Sequence, residues 1–188
     1  MSLLKPAMLL TGVLTASAAW SAPFSLSSPD LDPHKPLPEA QVANSYGCTG
    51  KNLSPALVWK NAPKAVKSYA LTVYDPDAPT GSGWWHWVVY NIPTQTTALA
   101  AGAGIENSST LPPGAVQGRT DGGNHSFGGA CPPAGDKPHR YIFTIHALST
   151  EKIELPADAS AALVGFMIHN SEIGKASFTV KYGRDRKS

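Results

Sequence analysis

Glycine and proline interrupt this sequence so often that it has little room for long helices. The 188 residues include 17 Gly and 17 Pro, and both residue types favour turns over the interiors of helices and strands. Between them lie short apolar or alternating runs that predict strands: 24–27, 56–59, 68–74, 85–90, 140–148 and 177–182. Only the segment 158–173 has helical periodicity, with Asp158 as its expected cap and Phe166 on its apolar face. The predicted fold is therefore mainly β, with one short helix in the C-terminal half.

The first 22 residues have the layout of a secretory signal peptide. A single charge, Lys5, precedes the apolar run 7–14, and small residues come after it. Cleavage is expected after Ala19, Ser21 or Ala22. The run is shorter than the roughly 20 apolar residues that span a membrane, and no later segment is a better candidate, so we expect no transmembrane segment. The remaining residues, 23–188, are enough for one substantial core, and we expect a single secreted domain, located in the periplasm of a bacterium.

The charge pattern argues against nucleic acid as a partner. Loss of the leader removes Lys5 alone among the charged residues, which lowers the formal net charge from +2 by one. A nearly neutral chain offers no broad positive field to a phosphate backbone. The basic residues at the C-terminal end are expected to be a solvated tail.

Two cysteines, Cys48 and Cys131, are the only ones in the chain. Behind a signal peptide they enter an oxidising compartment, where such a pair usually forms a disulfide. The bridge would close a loop of roughly 80 residues and stabilise the fold by about 4 kcal/mol. Two buried free thiols are the alternative. The absence of a C-x-x-C motif argues against redox catalysis and against a structural zinc site.

Two carboxylates stand between prolines at the end of the strand predicted over 68–74. That strand alternates between two sets of side chains, which predicts burial on one face only. Asp75 and Asp77 come next in the sequence Asp-Pro-Asp-Ala-Pro, and each proline restrains both itself and the residue before it. Such rigid placement suits a ligand site, and a plain turn after the strand is the alternative.

A second group of ionisable side chains opens the strand predicted over 140–148. It comes after Pro132 and Pro133, which restrict the backbone conformation of the segment that leads into the strand. His139 and Tyr141 should share one face of the strand, because successive side chains alternate. Arg140 takes the other face, where it would bond carboxylates or carbonyls behind the site, or else a ligand.

His86 stands among tryptophans in the run 85–90. If Asp75 is its partner, the carboxylate favours the imidazolium, whose other nitrogen then donates to a phosphate or carboxylate. A core histidine with one hydrogen-bond partner is the alternative. Together the three segments predict a pocket for a small anionic or zwitterionic ligand, because directional donors hold the charge while aromatic rings exclude water.

In this order and spacing, the three segments resemble the signature of the phosphatidylethanolamine-binding protein family. They read Asp-Pro-Asp-Ala-Pro at 75–79, Trp-His-Trp-Val-Val-Tyr-Asn-Ile-Pro at 85–93, and Pro-Pro at 132–133 with His-Arg-Tyr at 139–141. The likeness extends from about Phe24 to the end and is closer to the bacterial, Raf kinase inhibitor-like branch. It implies a large antiparallel sheet packed on a smaller one, with a pocket for phosphoryl-type anions at one end.

The resemblance also implies which residues line that pocket. Asp75 and His86 match a hydrogen-bonded pair, and the amide of Cys131 matches one that faces the anion. The full set of ligand-binding residues implied is Asp75, Asp77, Ala78, Pro79, Trp85, His86, Cys131, Pro133, His139 and Tyr141.

We therefore expect a secreted module that binds a small phosphate- or carboxylate-bearing ligand or a phospholipid head group. Inhibition or modulation of a partner protein is a further role that the family suggests. No motif requires a metal, a cofactor or a catalytic residue. The alternative is a phosphoester hydrolase that uses Asp75, His86 and His139 for acid–base work, although the sequence offers no obvious nucleophile.

Overall fold

The structure is a computed structural model and describes residues 22–186. The signal peptide expected over residues 1–22 therefore lies outside the described residues, apart from Ala22. The elements are β1 Ser25–Ser27, a 3-10 helix Glu39–Gln41, β2 Leu57–Lys60, β3 Ser68–Asp75, β4 Trp84–Pro93, β5 Ala98–Leu99, β6 Val116–Gln117, β7 His139–Leu148, α1 Ala161–Ser171 and β8 Glu172–Tyr182. In this part of the chain no helix is both long and apolar enough to cross a membrane.

The strands form two antiparallel sheets of unequal size. The larger has five strands in the order β6-β4-β3-β7-β8, and the smaller has three in the order β1-β2-β5. The prediction of a mainly β protein with a large sheet, a smaller sheet and one helix is confirmed.

The main hydrophobic core includes one face of the large sheet and residues of the small sheet. Its largest members are aromatic: Trp59 of β2, Trp87 of β4 and Phe143 of β7 are almost fully buried. A second cluster lies on the opposite face of the large sheet, where Val164 and Ile168 of α1 pack with residues of β3, β4 and β7. Full burial of one such side chain is worth about 1.5–3 kcal/mol, so both faces of the sheet contribute to stability.

Strand β3 is buried on both faces, and the prediction of a half-buried strand is wrong. Of its eight residues, seven are buried and only Tyr74 is partly exposed. The strand lies between β4 and β7 in the middle of the sheet, with the main core on one side and the α1 cluster on the other. The small and polar residues Ala70 and Thr72 are therefore interior residues, although their alternation with apolar neighbours is typical of a solvated face.

Helix α1 begins later than the sequence suggests. Its cap is Ser160, whose hydroxyl accepts a hydrogen bond from the Leu163 amide at 3.2 Å, and Asp158 lies outside the helix. The prediction of Phe166 on the buried face is also wrong, because the helix packs through Ala161, Val164 and Ile168, and Phe166 is 59% exposed.

Cys48 and Cys131 form the predicted disulfide, with their Cα atoms 6.0 Å apart. Next to it the two segments pair through their main chains: Val42 and Ala130 form a parallel bridge, and the Ala43 amide donates to the Ala130 carbonyl at 3.0 Å. The disulfide thus holds the loop after the 3-10 helix against the segment that leads to Pro132 and Pro133.

Candidate ligand-binding site

A cavity of about 580 Å³ opens where β3 ends and β7 begins. These two points meet because β3 and β7 are antiparallel neighbours, so that the last residues of one lie beside the first residues of the other. Nine of the ten ligand-binding residues predicted from the sequence line it: Asp75, Ala78, Pro79, Trp85, His86, Cys131, Pro133, His139 and Tyr141. Asp77 is not among the lining residues.

Asp75 is paired with His139, not with His86 as the sequence analysis predicted. Its Oδ2 accepts a hydrogen bond from Nδ1 of His139 at 2.7 Å, and its Oδ1 accepts from the Asp77 amide at 2.8 Å. Both side chains of the pair are almost fully buried. The other ring nitrogen of His139 is 3.6 Å from a carboxylate oxygen of Asp136. Asp75 therefore serves to orient His139 and the turn that comes after β3.

His86 enters the cavity from an irregular point in β4. In the pairing of β3 with β4, Val73 is opposite Trp87 and Tyr74 is opposite Trp85, so His86 is an extra residue without a partner. Such a bulge redirects the side chain relative to the regular pleat. The bulge could not be predicted from the sequence, because the alternating side chains of 85–90 are those of a regular strand.

The hydrogen bond made by His86 fixes its tautomer. Its Nδ1 lies 2.8 Å from the Gly128 carbonyl oxygen, and since a carbonyl only accepts, Nδ1 carries the proton. Burial lowers the pKa of His86, opposed by the Gly128 carbonyl, by the charges of Asp75 and Asp121 and by the Gly129 carbonyl. Neutral His86 then has an unprotonated Nε2, which makes no hydrogen bond with any residue in 22–186. The expected hydrogen bond with Asp75 is therefore corrected to one with a backbone carbonyl, and burial favours the neutral form of the ring.

Two hydrogen-bond donors in the cavity have no partner within the described residues. The hydroxyl of Tyr141 is buried and makes no hydrogen bond there. Burial raises the pKa of Tyr141, so the hydroxyl keeps its proton. Cys131 is a partly buried residue of the cavity wall, and its amide likewise donates to no group of residues 22–186. Because buried donors are nearly always paired in folded proteins, such groups in a cavity indicate the place of a ligand or of water.

Asp77 lies behind the cavity and holds its rim. Arg140 binds its carboxylate through two side-chain contacts of 2.7 and 2.9 Å, and the Arg140 amide adds a third at 2.9 Å. The hydrogen bonds from Arg140 lower the pKa of Asp77 to about 2. This geometry agrees with the expected place of Arg140 on the face opposite His139 and Tyr141. The pair ties the turn after β3 to the first residues of β7.

Several lining residues were not identified from the sequence. Asn52 bonds the chain around Gly128, since its Nδ2 donates to the Phe127 carbonyl at 3.2 Å and its Oδ1 accepts from the Gly129 amide at 2.7 Å. Tyr46 and Trp84 meet edge to face at the cavity, with ring centroids 6.4 Å apart. Others are Asn44, Ser45, Thr80, Thr120, Asn124 and Arg184. Thr120 and Asn124 belong to the glycine-rich stretch 94–129, so part of this stretch reaches the cavity.

Arg184 lines the cavity and connects the two loops that the disulfide also joins. Its Nε donates to the Pro132 carbonyl at 2.7 Å, and its Nη1 lies 3.3 Å from the Gly47 carbonyl. The guanidinium thereby adds positive charge to a cavity that contains the Asp75 carboxylate. The short segment Phe-Thr-Val-Lys-Tyr-Gly-Arg at 178–184 ends in this residue, and in the sequence it stands out only through the family resemblance.

Two unequal antiparallel sheets with a lined cavity at their strand ends define a β-sandwich with the fold of a binding protein. The sequence comparison gives the particular family: a profile described as phosphatidylethanolamine-binding protein matches residues 27–183. This chain belongs to that family, and the resemblance noted in the sequence is confirmed.

Individual relatives agree with this assignment. Protein YbcL of Escherichia coli K12 is 50% identical over 165 residues, which cover 88% of this chain and 90% of YbcL. YbhB of the same organism is 47% identical over 159 residues, which cover 85% and 99% of the two chains. A crystal structure of E. coli YbcL, described as a new member of the mammalian PEBP family, matches with a TM-score of 0.84 over 86% of this chain and 99% of that one. The homologue CT736 of Chlamydia trachomatis, at 28% identity, has a TM-score of 0.71 over 86% and 98%.

Proposed function

We propose that this protein binds a small molecule that presents a phosphate or carboxylate group, either free or as a phospholipid head group. The observation that carries the proposal is the Tyr141 hydroxyl, a buried donor without a partner in the described chain at the wall of the cavity. An anion oxygen would satisfy it, and the unpaired Cys131 amide offers a second donor to the same group. The family name, which refers to a phospholipid with a phosphate in its head group, supports the same ligand chemistry.

The organisation of the cavity also favours binding over turnover. Asp75 is used in orienting His139, and His86 is held by a carbonyl, so these three residues do not form one relay. A hydrolase would need a nucleophile or an activated water placed beside them, and no serine, threonine or cysteine of the described chain is hydrogen-bonded to either histidine. Hydrolysis of a phosphoester by Asp75, His86 and His139 is the competing function.

The proposal is tested by titration of the purified mature chain with inorganic phosphate, acetate and phosphoethanolamine, monitored by tryptophan fluorescence. Trp84 and Trp85 line the cavity and should report its occupation. Saturable binding of phosphate or phosphoethanolamine is the expected result. Absence of binding to all three anions would refute the proposal, and release of phosphate from a phosphoester would favour the hydrolase.

Binding measurements can also distinguish a free soluble ligand from a head group in a membrane. Vesicles that contain phosphatidylethanolamine present the head group in a membrane, whereas phosphoethanolamine presents it in solution. Binding to the soluble compound alone would indicate a free metabolite, and binding to vesicles a lipid.

We further infer an extracytoplasmic location, in the periplasm of a bacterium. It is supported by the leader-like sequence of the first 22 residues and by the disulfide between Cys48 and Cys131. Fractionation of cells that express the full chain, with mass measurement of the released protein, tests both the location and the cleavage site. Modulation of a partner protein is retained as a proposal, and affinity purification from the same fraction would test it.

A further inference from the structure

The cavity offers both hydrogen-bond donors and an acceptor. This combination restricts the choice of ligand more than the charge of the ligand does. Tyr141 and Cys131 offer donors, through the hydroxyl and the amide. Neutral His86 offers an acceptor, because its Nδ1–H is used on the Gly128 carbonyl and its Nε2 lone pair is left over. A ligand that satisfies the site therefore needs acceptors for two donors and one donor for His86.

A fully ionised phosphate or carboxylate has no hydrogen to offer. Placed against Nε2 of neutral His86, an oxygen of such a ligand would bring one acceptor against another, and neither atom would gain a hydrogen bond. A phosphate that keeps one proton has an O–H for His86 and further oxygens for Tyr141 and Cys131. Phosphomonoesters and inorganic phosphate hold such a proton up to about pH 6, whereas a phosphodiester is fully ionised near neutral pH and holds none.

The groups around His86 favour a proton between its Nε2 and a bound ligand, but they do not favour a fully charged imidazolium without a ligand. The carboxylates of Asp75, on β3, and Asp121, in the loop before Gly128, act on the ring with negative charge. Tyr141 of β7 packs edge-on against it, with ring centroids 5.1 Å apart, and His139 lies behind Asp75. Arg184 lines the cavity, Asp136 lies near it, and the ion pair of Asp77 with Arg140 holds its rim. Burial opposes a full charge on the ring, so the proton is best shared with an anionic ligand.

We propose that the complex holds one proton between Nε2 of His86 and a ligand oxygen, and that the site therefore selects phosphomonoesters over phosphodiesters. This inference rests on the proposed anion-binding function and makes it narrower. An intact phospholipid, which is a phosphodiester, is then a poorer ligand than the phosphomonoester of the same head group.

The selectivity is tested by calorimetry with methyl phosphate and dimethyl phosphate as probes at about pH 6, where about half of the monoester carries the second proton. Tighter binding of methyl phosphate by about tenfold or more is expected, because in a complex with dimethyl phosphate the shared proton would have to reside on the buried His86 ring alone. Equal affinities, or tighter binding of dimethyl phosphate, would overturn the inference while leaving anion binding intact. No binding of either probe between about pH 5 and pH 8, the range in which histidine titrates, would remove the proposed function itself.

A proton count on the unaltered protein gives a second test that needs no variant. Methyl phosphate is titrated at about pH 7.5, where it is mostly a dianion, in two buffers with different enthalpies of ionisation. Uptake of about one proton per bound ligand is expected, because the complex gains a proton that neither free partner holds at that pH. An enthalpy independent of the buffer would overturn the inference.

A matched pair of variants locates the proton. His86→Gln replaces the ring by an amide that offers a donor and an acceptor and does not titrate, so the preference for the monoester should disappear. His169→Gln makes the same change on the exposed face of α1 and should retain the preference. A His86→Gln protein that folds and keeps the full preference would overturn the role of His86.

Discussion

At the scale of single residues, the polar groups in and behind the cavity are of two kinds. Asp75, Asp77 and Asn52 have their hydrogen-bonding capacity used by the protein itself, and they position the walls. Tyr141, Cys131 and Nε2 of His86 have groups to spare within the described chain. Nearly all of these residues can be placed at one site from the sequence. The two kinds cannot be told apart in this way, because the hydrogen-bond partners depend on the pairing of β3 with β7 and on the bulge at His86.

Replacement of Tyr141 by Phe should weaken phosphate binding without weakening the fold. The change removes a donor worth about 0.5–1.5 kcal/mol in a hydrogen bond, or up to about 3 kcal/mol when the acceptor is charged. It also removes a buried hydroxyl that has no partner in the described chain, so the free energy of unfolding should stay the same or rise. Calorimetry and urea denaturation measure the two effects. Tyr90→Phe, a buried tyrosine that does not line the cavity, is the control and should leave affinity unchanged.

Asp75→Asn and Asp77→Asn make the same chemical change two residues apart and should differ widely. Asp75→Asn breaks a buried pair with His139 and should lower the free energy of unfolding by about 3 kcal/mol. Asp77→Asn affects a more exposed pair with Arg140, and its effect should be clearly smaller. Chemical denaturation of both proteins measures the difference. Equal decreases in the free energy of unfolding would show that the Asp75–His139 pair stabilises the fold no more than the Asp77–Arg140 pair does.

At the scale of elements, the large sheet carries a polar cluster around His146, and within the described chain this cluster shares no hydrogen bond with the cavity residues. His146 of β7 donates from Nδ1 to Glu172, the first residue of β8, at 2.6 Å, and its Nε2 lies 3.1 Å from the Thr72 hydroxyl of β3. Burial lowers the pKa of His146, opposed by its hydrogen bond to Glu172. The three strands β3, β7 and β8 are thus connected by side chains as well as by their backbones.

This cluster should make the fold sensitive to mild acid. Since the pKa of His146 is lower in the folded than in the unfolded chain, the unfolded chain binds more protons as pH falls below about 6.5. The free energy of unfolding should therefore decrease from about pH 7.5 to pH 5.5. His146→Gln should make that decrease smaller, and His86 accounts for part of what remains, because its pKa is lowered as well. Urea denaturation at both pH values measures the slope, and an unchanged slope in His146→Gln would contradict the assignment.

The elements themselves were predictable to different degrees. The six main strands arise from their apolar runs, because β-branched and aromatic residues between turn residues favour extended chain. β8 begins at Glu172, five residues before its predicted start at 177, because α1 ends there and passes directly into the strand. The two-residue strands β5 and β6 lie in the glycine-rich stretch 94–129, and neither has a run of β-branched or aromatic residues that could have revealed it.

At the scale of the whole molecule, the disulfide joins parts of the chain that are 83 residues apart. It is supported by neighbouring main-chain hydrogen bonds between the same two segments and by Arg184, which contacts the loops on both sides. These contacts connect the two loops of the cavity wall to each other and to the end of the chain after β8.

Reduction of the disulfide should lower stability more than it alters ligand chemistry. A loop of this length corresponds to a loss of about 4 kcal/mol on the chain-entropy model. The variant with both Cys48→Ser and Cys131→Ser should show that loss in denaturant, while retaining a preference for phosphate among the tested anions. Equal stability of the oxidised protein and the double variant would show that the bridge has no such role.

Strand β3 also has a consequence for how this protein can change over time. A strand that is covered on both faces has no free side on which substitutions are tolerated, so almost any new side chain there disturbs one core or the other. The loops around the cavity carry no such restriction, apart from the few residues that hold them in place. New ligand preferences can therefore arise in the loops without changes to β3, whereas His86 and Tyr141, on which the proposed selectivity rests, lie in strands β4 and β7.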